Sequence, residues 1–369
     1  MSNRCKILVL TSKTGGGHMS LAEAVRDRLE HEYEVEIVDP QPDFILQHYR
    51  LVSRYALWVW AAEFQFSDTP RKSLFAHRRA TSIFAKSLNA VLDRVQPHLV
   101  MTTYPFLTYE VIRVLEKRSS SVPFAMLFSD ANGVHASWLT EQNAAANFAP
   151  TRETYNQALK VGFPPDRLHL VGWTVRGQFY RTDGPTRDEM LTRLNLDPDR
   201  FTIFLQGGGE GAARFGRIVE NALAASPDVQ LILATGTNAA LLTRFQGRKN
   251  LYALPFTKEI APFMAAADVI MGKAGPNTLF ESVTLGKPSI ITTYIPGQEG
   301  ANLEFIPRHG LGWIALKPEE QRELIETLVS TPAVLSAMAA TVDEYRQWNT
   351  EANEAIVPII RSLLPGTCV

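Results

Sequence analysis

The sequence predicts an α/β protein of two successive doubly wound halves, each a parallel sheet with helices on both faces. Three observations carry this. Short apolar runs alternate with amphipathic, helix-periodic segments along the chain, the pattern of strand–helix units that feed a parallel sheet. The alternation is interrupted by a polar stretch at residues 181–187 and then restarts, as it does at a linker. The 369 residues are enough for about two to three domains, each with its own core.

Taken in order, the first half opens with the apolar run Lys6–Leu10 as a strand, Gly15-Gly16-Gly17 as a tight loop and residues 18–30 as a helix. A strand is predicted at 34–39. A basic, aromatic, helical stretch follows, then strand 99–103, helix 107–117, strands 124–129 and 145–149, and helix 151–160. The second half predicts strand 201–206, the loop Gly207-Gly208-Gly209, helix 212–225, strand 230–235, helix 239–245 and strand 251–254. Helix 258–266, strand 269–271, helix 276–285 and strands 289–294 and 313–316 complete it. The last periodic segment, 343–364, lies beyond this second sheet and is expected to pack back on the first half. The expected domains are therefore 1–180 and 185–342, with a C-terminal helical piece 343–369. The absence of a short-period repeat sets solenoids aside.

Composition narrows the partners. Apolar residues make up 45% and charged residues 20%, as in ordinary soluble globular proteins. Lys plus Arg is 37 against 38 for Asp plus Glu, so there is no global field for nucleic acid and none is expected as a partner. The two cysteines, Cys5 and Cys368, stand near opposite ends, which suits neither a disulfide framework nor a thiolate metal site and leads to the expectation of a reducing cytosol. The opening apolar run stops at Thr11, Ser12 and Lys13, too early for a signal peptide, so no export is expected. No apolar run is long enough to span a bilayer. Between Arg50 and Arg94, however, eight basic residues face three acidic ones, interleaved with Trp58, Trp60, Phe64, Phe66 and Phe75. That surplus provides at most about 5 kcal/mol toward an anionic membrane surface, enough for reversible attachment. A helix that packs its aromatic face inward has the same composition.

Four glycine-bearing turns fall at the carboxyl ends of predicted strands, where ligands bind in open α/β sheets. The first ends in His18, and Ser20 with Glu23 has capping-box spacing, so a helix start with free N–H groups is expected there. Gly15, Gly17 and Asp39 also match part of a dinucleotide fingerprint, with Ser20 where its third glycine belongs. An NAD-dependent oxidoreductase is thus a rival reading. It leaves His18 unexplained, a titratable group at the rim of the crevice that suits a general base. The second turn, Gly207-Gly208-Gly209, is weak alone. The third runs through Lys273, Gly275, Pro276, Asn277 and Thr278 to Glu281, with Pro276 in the first helical turn. A helix terminus contributes only about 0.3–2 kcal/mol to anion binding, so a diphosphate there needs several loops. Glu281 suits either a capping box with Thr278 or hydrogen bonds to vicinal ribose hydroxyls. The fourth, Ile295 to Asn302, offers Gln298, Glu299 and Asn302 to a polyhydroxylated ligand; a solvated turn has the same make-up. In the first half, Asp130 and His135 suit an acid–base pair, a metal pair or turn chemistry, and two ligands are too few to argue for a metal.

Gly15-Gly16-Gly17-His18, Ser129-Asp130 with His135 and Trp138, Lys273-Ala274-Gly275-Pro276 leading to Glu281, and Ile295 to Gly300 with Asn302 form an ordered set. With it the chain resembles the family of monogalactosyldiacylglycerol synthases and processive diacylglycerol glucosyltransferases, within the family 28 glycosyltransferases. The likeness covers nearly the whole chain. It implies the GT-B arrangement, two Rossmann-like doubly wound domains facing across a cleft, with acceptor mainly on the first and a UDP-sugar on the second.

The resemblance implies His18 as base on the acceptor hydroxyl, with Asp130 also in the catalytic set. Gly16, Gly17, His135 and Trp138 would face the acceptor, and Trp58, Trp60, Arg78 and Arg79 would belong to a membrane-associating region. The uracil would lie near Phe256 and the ribose on Glu281. The diphosphate would lie against Gly207, Gly208, Gly209 and the Ala274–Thr278 helix start, and the sugar hydroxyls near Gln298 and Glu299, with Lys273 and Asn302 in the same nucleotide-sugar-binding set. The implied reaction is inverting transfer of galactose or glucose from UDP-galactose or UDP-glucose to a lipid, foremost 1,2-diacylglycerol, at the inner face of the cell membrane and without a tightly bound metal. Asn277 and Gly300-Ala301 depart from the family pattern beside the sugar pocket, which leaves the hexose open. Transfer to another acceptor, and nucleotide-sugar binding without turnover, are the alternatives that share these loops.

Overall fold

The computed structural model describes residues 4–14, 16–45, 47, 51, 62, 64–207, 215–364 and 366. The chain divides into two units, Met1–Gly177 with Trp348–Val369, and Gln178–Gln347.

The first unit holds six parallel strands: β1 (Lys6–Leu10), β2 (Glu34–Val38), β3 (Leu99–Thr102), β4 (Phe124–Leu127), β5 (Ala146–Ala149) and β6 (Leu168–Leu170), in the order β2-β1-β3-β4-β5-β6. Strands such as KILVL and FAML are nearly or wholly buried along their length, as expected where both faces of a parallel sheet are covered. The order reverses between β1 and β3, so the crevice at their carboxyl ends is the topological switch point where ligands of such sheets bind.

Helices α1 (Gly17–Leu29), α2 (Pro70–Val95), α3 (Tyr109–Lys117), α4 (Ala136–Leu139) and α5 (Arg152–Lys160) belong to this unit. Gly16 caps α1 with φ of 73°, a left-handed conformation that glycine adopts without a Cβ clash. The helix therefore begins earlier than the Ser20–Glu23 capping box predicts; Ser20 donates its N–H to the Gly16 carbonyl and lies within the first turn. The 26-residue α2 buries Phe84, Leu88, Leu92 and Val95 along one stripe, whose first two turns are instead polar, Ser73 and His77. Near the C-terminus, Asn349 exchanges two hydrogen bonds with the Trp173 backbone, at 2.7 and 2.9 Å, and Asn353 adds a third. These amides hold the end of the chain on the loop after β6.

The second unit has β7 (Phe201–Gln206), β8 (Val229–Gly236), β9 (Leu251–Pro255), β10 (Val269–Lys273), β11 (Ser289–Thr293) and β12 (Gly312–Ile314), parallel and ordered β12-β11-β10-β7-β8-β9. This is the Rossmann order, with its switch point between β7 and β10. Gly272 lies there so close to β7 that a Cβ would meet the Gln206 carbonyl at 2.5 Å. Helices α6 (Arg187–Arg193), α7 (Phe215–Ala225), α8 (Ala239–Phe245), α9 (Ala261–Ala265), α10 (Pro276–Thr284), α11 (Asn302–Arg308) and α12 (Pro318–Ser330) cover this sheet, and α13 (Pro332–Asn353) and α14 (Ile356–Leu363) end the chain.

Among the described residues, no single helix is long and apolar enough to cross a membrane. Cys5 is buried and disulfide-bonded, against the expectation of two separate thiols. Cys368 lies outside the described residues.

Candidate active site

The first crevice is built by the loops after β1 and β3. The His18 Nδ1 lies 2.9 Å from the Thr103 carbonyl oxygen. A carbonyl only accepts, so Nδ1 carries the proton and Nε2 keeps its lone pair. Burial lowers the His18 pKa to about 4, opposed by that bond to Thr103; the ring is thus neutral at pH 7 and ready to accept a proton at Nε2. Thr103 Oγ1 donates to Thr11 Oγ1 at 2.9 Å and approaches the His18 carbonyl at 3.1 Å. The Tyr104 ring packs edge-on against the imidazole, with centroids 4.9 Å apart, and burial raises the Tyr104 phenol well above its usual range. Thr103 and Tyr104 escape a reading by motif, although they directly follow the strand that neighbours β1. Gly17 opens α1 and Gly16 caps it.

Asp39, the acid of the dinucleotide reading, accepts from the Lys13 N–H at 2.8 Å and the Gln41 N–H at 2.9 Å, one on each oxygen. Its carboxylate ties the loop after β2 to the loop after β1, which gives Asp39 a structural task that the NAD reading does not need.

Asp130 and His135 do not pair through their side chains. The Asp130 Oδ2 accepts from the His135 backbone N–H at 3.0 Å, which is turn chemistry, and burial raises the Asp130 pKa with Asp68 acting in the same direction. The His135 ring is buried; its Nδ1 accepts from the Ser137 N–H at 3.2 Å, so Nε2 carries the proton and donates to the Phe64 carbonyl at 3.2 Å. Asp68 accepts from the Ala136 N–H at 2.9 Å. His135 therefore holds the segment ahead of α2 and has no ring nitrogen left for an acceptor. Trp138 is fully buried in the core against Phe128. Its expected place at the acceptor surface is corrected: an indole packed among the apolar side chains of the core gains more from burial than from solvent.

On α2, Phe84 and Leu88 point inward while Phe66, just before the helix, and Phe75 are 58% and 56% exposed. Lys72 sits over the Phe66 ring and Arg79 over Phe75. Arg71, Arg78 and Lys86 are exposed beside them. The exposed face is both basic and aromatic. Trp58 and Trp60 lie outside the described residues.

The second crevice is formed by the loops after β7, β10 and β11. Gln206 Nε2 donates to Thr278 Oγ1 at 2.5 Å, joining the end of β7 to the first turn of α10. The helix α10 starts at Pro276 with Gly275 as its cap and no side-chain cap bond, so Glu281 does not close a capping box with Thr278; it is buried one turn into the helix. Lys273 pairs with the buried Glu299, whose other oxygen accepts from the Ile295 N–H at 2.9 Å. The Lys273 ammonium lies across Gly275, where a Cβ would meet it at 2.9 Å. Asn302 is buried and donates to the Ala274 carbonyl at 2.8 Å. Glu299 and Asn302 thus brace the β10 and β11 loops against each other, whereas Gln298 is exposed, Asn277 half-buried and Phe256 exposed beyond β9. Gly207 packs on Phe215; Gly208 and Gly209 lie outside the described residues. Among the described residues no group of three or more His, Cys, Asp or Glu is placed to hold a metal ion.

Two family models match in sequence order: "Monogalactosyldiacylglycerol (MGDG) synthase" over residues 18–175 and "Glycosyltransferase family 28 C-terminal domain" over 202–341. A probable monogalactosyldiacylglycerol synthase 2 of Oryza sativa subsp. indica is 29% identical over 343 residues, covering 85% of this chain and 71% of the relative. Among solved structures, Acinetobacter baumannii MurG shares the fold with a TM-score of 0.62 at 17% identity, covering 97% of this chain and 99% of that one. Anabaena HepE in complex with UDP and glucose does so with a TM-score of 0.59 at 16% identity and coverages of 97% and 100%. Fold and domain content together define a GT-B glycosyltransferase. Residues 202–341 carry the C-terminal domain of glycosyltransferase family 28, and the first unit carries the domain of the monogalactosyldiacylglycerol synthases.

Proposed function

We propose that this protein transfers galactose or glucose from a UDP-hexose to the free hydroxyl of 1,2-diacylglycerol, with inversion at the anomeric carbon, to give a monoglycosyldiacylglycerol. The observation that carries this reading is His18, a neutral imidazole at the switch point of the first sheet with its proton fixed on Nδ1 by the Thr103 carbonyl. The likeness to the rice synthase supports the lipid acceptor. The fold shared with a protein that binds UDP and glucose supports the donor.

In the reaction, the acceptor oxygen attacks the anomeric carbon while the bond from that carbon to the diphosphate oxygen breaks. The hydroxyl proton passes to His18 Nε2, and UDP leaves with the electron pair. The N–H groups at the start of α10, with Lys273 beside them, stabilise the leaving diphosphate, so no metal held on carboxylates is invoked. Glu281 binds the ribose and Gln298 the sugar hydroxyls. The basic, aromatic face of α2 rests on the anionic inner face of the cell membrane, where the acceptor resides.

Thin-layer analysis of lipids made from UDP-galactose or UDP-glucose, in a host without such glycolipids, tests this. A new monoglycosyl lipid that vanishes in His18→Ala is expected. Saturable UDP-sugar binding with no lipid product would reduce the protein to a sensor.

A further inference from the structure

We propose that His77 and Glu110, a buried pair outside the catalytic crevice, are positioning residues for the acceptor side of the transfer. They fix Ser137 and, through it, the His135 ring that holds residues 64–69. This rests on the lipid-acceptor reading above.

Both side chains are 0% exposed, and His77 Nδ1 lies 2.8 Å from Glu110 Oε1. His77 Nε2 lies 3.1 Å from the Ser137 carbonyl, so that nitrogen must donate. One further proton is then shared on the line between Nδ1 and Oε1, and the pair is neutral overall wherever that proton rests. Glu110 Oε2 is buried with no partner among the described residues.

Such an arrangement is a poor stability device, because apolar residues of similar volume in its place are often neutral or stabilising. What it supplies is direction. Ser137 is the meeting point: its carbonyl accepts from His77 and from Thr108 Oγ1 at 3.3 Å, and its hydroxyl bonds Ser73 at 3.2 Å. Its N–H donates to His135 Nδ1, which leaves His135 Nε2–H to hold the Phe64 carbonyl. Ser73 and His77 are the two polar turns of an otherwise apolar α2 stripe. They fall at the end of the helix that adjoins residues 64–69. The chain of bonds thus runs from the basic helix to the turn that bears Asp130 and His135.

The test uses the full chain with His77→Leu and Glu110→Met together, which removes both polar partners and keeps the volume. The expected result is an unchanged or higher Tm, unchanged UDP affinity, and amide exchange at residues 64–69 and 135–139 at least about tenfold faster. With diacylglycerol vesicles, acceptor KM should rise at least about tenfold while kcat changes less than about threefold. Glu110→Gln, whose amide N–H donates to Nδ1, should restore wild-type exchange. A folded double variant with wild-type exchange and KM would overturn the proposal, as would a Glu110→Gln protein as loose as the apolar pair. Should the wild type yield no glycolipid, the acceptor reading fails, while the exchange measurement still judges the positioning.

Discussion

His18 Nδ1 donates to the Thr103 carbonyl across 2.9 Å, linking residues 85 apart in the chain. Many catalytic histidines are oriented by a carboxylate; here a neutral carbonyl does it. The ring is held in one tautomer without a negative charge to raise its pKa.

Removal of the ring should separate chemistry from donor binding. His18→Ala is expected to lower turnover at least about 100-fold and leave UDP affinity nearly unchanged. Calorimetric titration with UDP beside rate measurement checks this; joint collapse of both would mean that His18 supports the fold or the donor.

The pH dependence follows from the pKa of about 4. The imidazole stays unprotonated down to that pH, so the acid limb that His18 sets on kcat/KM lies near pH 4, well below the ordinary histidine value. Stability carries the same signature. Between about pH 6.5 and 4 the unfolded chain takes up a proton that the folded ring refuses, so stability falls as pH falls through that window, by at most about 3 kcal/mol. Urea unfolding at pH 7 and 4.5 should show a smaller drop for His18→Gln than for the wild type. Equal drops would show the ring titrating normally in the fold.

Gln298 and Glu299 are neighbours with different tasks. Glu299→Ala leaves Lys273 and the Ile295 N–H without their partner and should cost about 1–3 kcal/mol in thermal unfolding while weakening UDP binding. Gln298→Ala, at an exposed position, should leave Tm unchanged and alter only the ratio of rates with UDP-galactose and UDP-glucose. A stable Glu299→Ala would show that the brace is not needed.

Arg78→Ala with Arg79→Ala should weaken sedimentation with anionic vesicles by about 1 kcal/mol per residue, about 30-fold together, and the effect should shrink in high salt. Binding unchanged at low salt would place the membrane surface elsewhere.

Trp138→Ala empties a fully buried site and should cost about 3–5 kcal/mol of stability. A folded, inactive variant of wild-type stability would return Trp138 to the acceptor surface.

Much of the architecture was legible from local pattern. A strand buried on both faces must be a short apolar run, and a glycine turn between strand and helix marks the carboxyl edge of a sheet, so KILVL before Gly16 and VIMGK before Gly275 announced both crevices. Their occupants were less legible. Ser20 with Glu23 and Thr278 with Glu281 have capping spacing, yet neither pair caps a helix, because a glycine with suitable backbone geometry starts each helix a turn earlier. Asp39 stood where a ribose ligand belongs and holds one N–H of its own loop and one of the loop after β1. Trp138 kept its motif position but turned into the core.

The order of apolar runs, helices and turns was written in the chain itself, because periodicity depends only on residues a few places apart. The tertiary structure alone decided that His18 meets Thr103, that Lys273 closes on Glu299 and that His77 meets Glu110 in the buried interior. Those partners arrive from strands and helices made neighbours by sheet order, and a buried polar group takes whichever partner the packing leaves within reach.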